Sequence, residues 1–434
     1  MFLTVACSKT PVSARPSRYI SNALHNTNGV ITMNRYIGPL IVVALIISLL
    51  TSGLPLSAQT PMTRVIVGLN DYDKGLNALI TIGRLFLKIP GIKAVVVETP
   101  MIAIPYIARL PFVKYIEEDR QVIVFEEFQW NIDMINANDV WTTYYDLYGN
   151  AAYGYNPVIQ VAIVDTGIDY AHRDLQGAVV YCIVSLRNEK TFYKGVNLKN
   201  CADQNGHGTH VAGIIGARLN GIGVAGDAPR VVIYAVKVLG ASGSGYISDV
   251  AKGIVEAVKG PDGVPGNEDD ADVISMSLGG PESPLLYSAV SYAYNYNVTL
   301  VAAAGNEGAD NPSYLAAYPE VIAVGVVDSD YNVPQWSNRN PDVVAPGVNV
   351  LSTLPRNRYG YLSGTSMACP HVSASIALAQ ALRLASGKSL LTPQQIKGLL
   401  SQSAIDLGAQ GYDKLYGYGL IDTYAFVNAV LNSP

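Results

Sequence analysis

Two apolar runs that break directly into glycine-bearing loops constrain the fold of this chain more than any other feature. Val161-Ala162-Ile163-Val164 runs into Asp165-Thr166-Gly167, and Val301-Ala302-Ala303-Ala304 runs into Gly305-Asn306. Runs this short, apolar without alternation, read as strands buried on both faces, and such strands belong to parallel sheets covered by helices. The expected covering helices have a matching character. Asn205-Gly206-His207-Gly208-Thr209-His210-Val211-Ala212-Gly213 reads as a turn entering a helix of small residues, and Val372 to Leu384 reads as a helix with Ala and Ser at close-packing positions. The expected fold class is therefore α/β, a parallel sheet flanked by helices. In open sheets of this kind, sites gather beyond the carboxyl ends of the strands, where Asp165 and Asn306 fall.

Read in the order Asp165, His207, Ser366, three loop segments hold the residue types of an orienting acid, a base and a nucleophile. A serine hydroxyl is a weak nucleophile until an imidazole removes its proton, and a carboxylate fixes that imidazole's tautomer. Ser366 lies in Gly364-Thr365-Ser366-Met367-Ala368-Cys369-Pro370-His371, at the expected start of a helix, with Pro370 in a first turn that needs no donor. A helix start offers N–H groups and partial positive charge to an oxyanion. Asn306, after its strand, is the expected further donor. Taken singly, Asp165 and Gly305-Asn306 are ordinary turn signals, Ser366 an N-cap and His207 a structural histidine. His210, three residues on along the helix, faces another direction and reads as structural.

These segments resemble the subtilisin-like serine proteases, the subtilases, over roughly Trp130 to Ala429. Val164-Asp165-Thr166-Gly167 matches the family's catalytic acid, His207-Gly208-Thr209-His210 its base at His207, Gly364-Thr365-Ser366-Met367-Ala368 its nucleophile, and Asn306 its oxyanion donor. The resemblance implies a serine endopeptidase acting on polypeptides. It also implies that Gly243-Ser244-Gly245 and Ser277-Leu278-Gly279 clamp an extended peptide by strand addition, while Ala303, Ala304 and Gly305 line the first specificity pocket. Small residues there leave room for a large apolar side chain; no acidic pocket residue is evident to demand Arg or Lys, although loops could supply one. Broad specificity is expected, and a narrow-specificity processing protease is the alternative. Tyr416-Gly417-Tyr418-Gly419-Leu420-Ile421-Asp422 resembles the family's closing segment.

Arg35 precedes the apolar run Ile37 to Leu50, and Leu56-Ser57-Ala58 offers a small-residue cleavage point, so residues 1–58 read as upstream residues and a signal peptide starting at Met33. Secretion, or residence at the cell surface, is expected. Residues 59–125 form an expected small α+β unit, with strands at Val65-Ile66-Val67 and Ala94-Val95-Val96-Val97, helices over Leu76 to Leu87 and Met101 to Leu110, and Val113 to Glu117 closing it. It resembles the subtilase propeptide, an intramolecular chaperone and inhibitor. On that resemblance Val122-Ile123-Val124-Phe125 is the inhibitory strand, self-cleavage falls near Phe125-Glu126, and residues 126–434 are the catalytic domain.

Secretion permits a Cys182–Cys201 disulfide; two buried free thiols are the other reading, and Cys369 has a packing role. Asp174 and Asn220 align with a family calcium site, with backbone carbonyls of the Arg218 to Val224 loop completing an oxygen shell and Glu126 a candidate N-terminal ligand. The acidic stretch Asp262 to Asp272 lacks EF-hand spacing and reads as a solvated loop. No organic cofactor is expected. With a net charge of −5 and no basic run interleaved with aromatics, nucleic acid is not an expected partner, and a monomer is expected. Two rivals fail. An α/β-hydrolase needs its nucleophile first, in Gly-x-Ser-x-Gly, whereas Ser366 comes last. A catalytically dead binding protein would lack one of the three groups, and none is missing.

Overall fold

The computed structural model describes residues 62–119, 129–144, 159–186 and 191–434. The chain divides into two compact units, Met1–Val122 and Ile123–Pro434. The expected signal segment, inhibitory strand, Phe125–Glu126 bond and Glu126 ligand all lie outside the described residues. No helix among the described residues is long and apolar enough to cross a membrane.

The first unit is a four-stranded antiparallel sheet of β1 (Met62–Leu69), β2 (Arg84–Ile89), β3 (Ala94–Pro100) and β4 (Val113–Glu118), in the order β2-β3-β1-β4. Period-two alternation sends Val65, Val67, Val95 and Val97 into a core shared with Leu79 and Ile107. The expected helix over Leu76 to Leu87 is not formed. The helix spans Tyr72–Leu79, started by Asp71, whose carboxylate accepts the Lys74 N–H. The chain then turns through Gly83, where a Cβ would lie 2.5 Å from the Glu98 carbonyl, and β2 follows. The apolar residues after Leu79 fit either period, and pairing with β3 decides the matter. The second expected helix shrinks to a 3₁₀ turn at Met101–Ala103 and the single turn Ile104–Ile107.

The second unit is built on an eight-stranded sheet. Its strands are β5 (Gln160–Asp165), β6 (Val179–Leu186), β7 (Thr191–Gly195), β8 (Val232–Lys237), β9 (Val273–Met276), β10 (Thr299–Ala303), β11 (Val321–Val327) and β12 (Val343–Pro346), in the order β12-β11-β10-β9-β5-β8-β6-β7. Every pairing is parallel except β6 with β7, so the parallel sheet carries one antiparallel edge. Central strands are buried throughout, as their unbroken apolar runs require. One face packs on His207–Gly216 and Thr365–Ala385, the other on Ile247–Val258 and Pro284–Asn295. Small residues set these distances. At Gly213 a Cβ would fall 2.2 Å from Ser352 Oγ and 2.4 Å from Thr353 Oγ1, in the hairpin strand β13 (Val350–Leu354).

Cys182, in β6, is bonded to Cys201 across a sequence separation of 19. Closing a loop of that size removes unfolded-state entropy amounting to about 3 kcal/mol. The double variant Cys182→Ala/Cys201→Ala should therefore melt at a lower temperature than wild type under non-reducing conditions. An unchanged midpoint would show that the bridge contributes nothing.

Candidate active site

Asp165 closes β5, and its neighbour across the ladder is Lys237 at the end of β8. Its carboxylate is fully buried and accepts the Thr166 N–H at 2.7 Å. The helix His207–Gly216 starts beside it, placing His207 Nδ1 at 2.9 Å from both carboxylate oxygens. This approach depends on Gly208, where a Cβ would sit 2.2 Å from the Gly167 carbonyl and 3.1 Å from Asp165 Cβ. Burial disfavours a charged His207, but the Asp165 charge and hydrogen bond, with a further contribution from Asp203, outweigh it and raise the imidazole pKa above its ordinary value. His210 faces elsewhere, with Nε2 at 3.1 Å from the Val350 carbonyl and 3.0 Å from that of Gly360; burial pushes its pKa down to about 4.

Ser366 is the second residue of the helix Thr365–Ala385. Its hydroxyl donates to the Ser277 carbonyl at 3.2 Å rather than to His207, and the Ser277 hydroxyl donates in turn to the Ser366 carbonyl at 2.8 Å. Pro370 explains the second bond. It is the sixth helical residue, past the first turn expected for it, so it removes the N–H that would have bonded the Ser366 carbonyl four residues back. Ser277 takes that acceptor and ties the Ser366 turn to the Ser277-Leu278-Gly279 segment.

Asn306 follows β10. Its Oδ1 accepts from Thr365 N at 2.9 Å and Thr365 Oγ1 at 3.0 Å, which leaves the Nδ2 donor as the end turned to the cleft that Ser366 also lines. Beneath the loop, the buried Asn338 side chain accepts from Glu307 N and Ala309 N and donates to the Ala304 carbonyl, Glu307 Oε2 and Ser313 Oγ.

Two adjoining cavities meet at Leu278, Gly279 and Gly280. One, of about 430 Å³, has apolar walls from Leu239, Val250, Leu286 and Leu315 and is bounded by His207, Gly243, Ser244, Gly245 and Ser277. The other, about 310 Å³, is lined by Ala303, Gly305, Asn306, Glu307 and Ser366. Ala304 does not line it; that residue is buried behind, with its N–H on the Val324 carbonyl. A loop supplies this cavity with an acid, Glu307. Its carboxylate holds Asn306 N at 2.9 Å and Asn338 Nδ2 at 3.0 Å. Gly243-Ser244-Gly245 and Ser277-Leu278-Gly279 belong to none of the strands and both line the larger cavity, where the Ser244 carbonyl accepts from Gly240 N at 3.0 Å.

Asp174 Oδ2 accepts from Val224 N at 3.0 Å and Tyr359 Oη at 2.9 Å, and Oδ1 lies 3.4 Å from Asn220 Nδ2. Gln129, not singled out in the sequence, reaches this loop, with Oε1 on Ala225 N at 2.7 Å. Asn220 Oδ1 accepts from Ile222 N at 3.1 Å, so in this structure the amide oxygens of Asn220 and Gln129 both hold backbone N–H groups of the segment. In the acidic stretch Asp262 to Asp272, side chains bond the loop's own N–H groups. Among the described residues no group of three or more His, Cys, Asp or Glu side chains converges as a metal site. Cys369 is buried, and burial pushes its thiol up to about 11, out of reach of reaction at neutral pH.

Residues 157–419 match the model of the subtilase family. The chain is 42% identical over 274 residues to subtilisin DY of Bacillus licheniformis, covering 62% of this chain and 90% of that protein. It is 39% identical over 300 residues to the major intracellular serine protease of Bacillus subtilis, covering 67% and 86%. It is likewise 39% identical over 319 residues to an alkaline protease of Alkalihalobacillus alcalophilus, covering 73% and 74%. A parallel sheet with this site at the carboxyl ends of its strands, joined to those likenesses, makes the chain a member of the subtilase family and a subtilisin-like serine endopeptidase.

Proposed function

We propose that this chain is a secreted, self-processing endopeptidase in which Ser366 is the nucleophile, His207 the base, Asp165 its orienter and Asn306 an oxyanion donor. The observation that carries the reading is the double contact of Asp165 with His207 Nδ1, in a cleft that Ser366 enters from a helix start. Contact at Nδ1 directs Nε2 to the reaction. A rotation of the Ser366 side chain moves its hydroxyl from the Ser277 carbonyl to that nitrogen, a tightening that belongs to substrate binding. His207 takes the proton as Oγ attacks the scissile carbonyl, Asn306 Nδ2 and the helix-start N–H groups hold the oxyanion, and His207 returns the proton to the departing amine. Water then repeats the sequence on the acyl-enzyme.

The raised His207 pKa sets the acid limb of the rate. Below it the imidazole is already protonated and cannot act as base, so kcat/KM should fall on acidification with a midpoint above 6.5, the ordinary value of the group. A midpoint at or below that value would contradict the Asp165 contact.

The apolar 430 Å³ cavity and the small-residue wall of its neighbour favour broad cleavage after large apolar residues. Glu307 favours a second reading, a narrower enzyme that selects Lys or Arg before the scissile bond. Sequencing the peptides released from casein separates them, since a narrow enzyme yields few cut sites. Secretion rests on the Ile37 to Leu50 run and Leu56-Ser57-Ala58; removal of the first unit near Phe125–Glu126 rests on the resemblance of that unit to a propeptide. Asp174, Asn220, Gln129 and the carbonyls of the 218–224 loop would hold calcium, which would brace the loop leaving the His207 helix. A chelator should then lower the melting midpoint of wild type but not of Asp174→Ala. An equal response in both would remove these ligands from consideration.

A further inference from the structure

Asp203 lies in the loop between the disulfide residue Cys201 and the His207 helix, and its carboxylate is buried among five donors. Oδ1 accepts from Thr166 Oγ1, Asn205 N and Gly206 N, each at 2.9 Å. Oδ2 accepts from Thr209 N at 3.0 Å and Thr209 Oγ1 at 2.6 Å. These donors come from two separate stretches of chain. Thr166 belongs to the turn that follows Asp165, whereas Asn205 to Thr209 is the turn and first helical residues that carry His207. The helix itself has no cap from its N-cap residue, Gly206, so its first N–H groups find acceptors elsewhere: His207 N on Asn205 Oδ1 at 3.2 Å and Thr209 N on Asp203 Oδ2. Thr166 Oγ1 completes the link by accepting the Gly208 N–H at 3.0 Å.

We propose that Asp203 is the positioning residue of the His207 base: one buried carboxylate locks the acid's turn to the base's helix and adds a second negative charge behind the imidazole. This rests on the triad reading above. Four charged or titratable groups share the region. Asp165, on β5, contacts the imidazole directly. His210, on the same helix, is kept neutral by burial. Lys237, at the end of β8, donates to the carbonyls of Thr166 and Ala202 and to Gln204 Oε1, bracing the same two turns from below. Asp203 is the fourth. The sign follows from charge alone: removing a buried anion near His207 disfavours the imidazolium, so the base's pKa falls and the acid limb moves to lower pH. Loosening the lock misplaces His207 relative to Ser366, which costs rate rather than substrate binding.

The test measures kcat, KM and the pH profile of the full chain for wild type, Asp203→Asn, Thr166→Val and Thr166→Ser, with active sites counted by a sulfonyl fluoride. Asp203→Asn should lower kcat per titrated site by about 10- to 100-fold, leave KM within about two-fold, and shift the acid limb downward. Thr166→Val keeps the charge and removes only the bridging hydroxyl, so it should lower kcat with the acid limb unmoved, and Thr166→Ser should restore it. If Asp203→Asn is not recovered folded, the Thr166 pair decides alone: kcat unchanged in Thr166→Val overturns the proposal. An Asp203→Asn enzyme with wild-type kcat, or with a loss that only tracks the number of active sites, overturns it as well. His207→Ala separates this from the larger reading. Activity surviving that change would sink the triad itself, whereas an inactive His207→Ala beside an unaffected Asp203→Asn sinks only the present inference.

Discussion

Ser366→Ala should lower kcat by about a million-fold, and the variant should accumulate as uncut precursor. That magnitude is the one known for subtilisin, a member of the same family, rather than a value built from this structure. Oγ is the only heavy atom of Ser366 that the substitution removes, and its bond to the Ser277 carbonyl is a single part-buried contact at 3.2 Å whose loss costs about 1 kcal/mol. The reciprocal bond, from the Ser277 hydroxyl to the Ser366 carbonyl, survives, so the helix start keeps its place. What remains is a fold with its base and oxyanion donors intact and no nucleophile. Because processing near Phe125–Glu126 is assigned to the same site, the precursor and the lost proteolysis should appear together on a gel. A normally processed Ser366→Ala chain would assign maturation to another protease.

Asn306→Ala should reduce kcat by about 10²- to 10³-fold with little change in KM, again the size familiar from subtilisin. An oxyanion exists only after attack, so a donor aimed at it binds the transition state and not the ground state. The end of the Asn306 amide that faces the cleft is fixed by Thr365, which presents two donors, its N–H and its hydroxyl, to Oδ1. Thr365→Val would remove one of them and should produce a smaller loss of the same kind. Equal losses in kcat and in ground-state binding for Asn306→Ala would mean that the amide contacts substrate from the outset.

The site was legible in the sequence to the extent that single residues carry backbone reasons for being where they are. Gly208 and Gly213 are the clearest. Each stands where a Cβ would collide, one with the turn after Asp165 and the other with the β13 hairpin, so a helix of small residues next to a histidine already implied close packing at the strand ends. The apolar runs ending at Asp165 and Asn306 gave their strands for the same kind of reason. Asp203 was not legible, because an aspartate in a loop before a helix looks like an ordinary turn residue; its importance lies in Thr166, a partner 37 positions away. Pro370 misled in the other direction. Proline at a helix start is so readily explained that its deeper position, and the carbonyl it frees for Ser277, emerged only from the geometry. In the first unit, Leu76 to Leu87 contains enough apolar residues to satisfy a helix or a helix followed by a strand, and only the antiparallel register of β2 with β3 distinguishes them. That a loop could supply an acid is legible, but that it is Glu307 is not, because the sequence does not say which loop side chains turn toward the pocket.

The most direct measurement is covalent labelling of the active chain with a fluorophosphonate, followed by peptide mass spectrometry and residual-activity assay. One label per molecule is expected, on the peptide holding Ser366, with activity lost in proportion to labelling and no label in His207→Ala. Labelling at another serine, or full activity in a chain labelled at Ser366, would contradict Ser366 as the nucleophile.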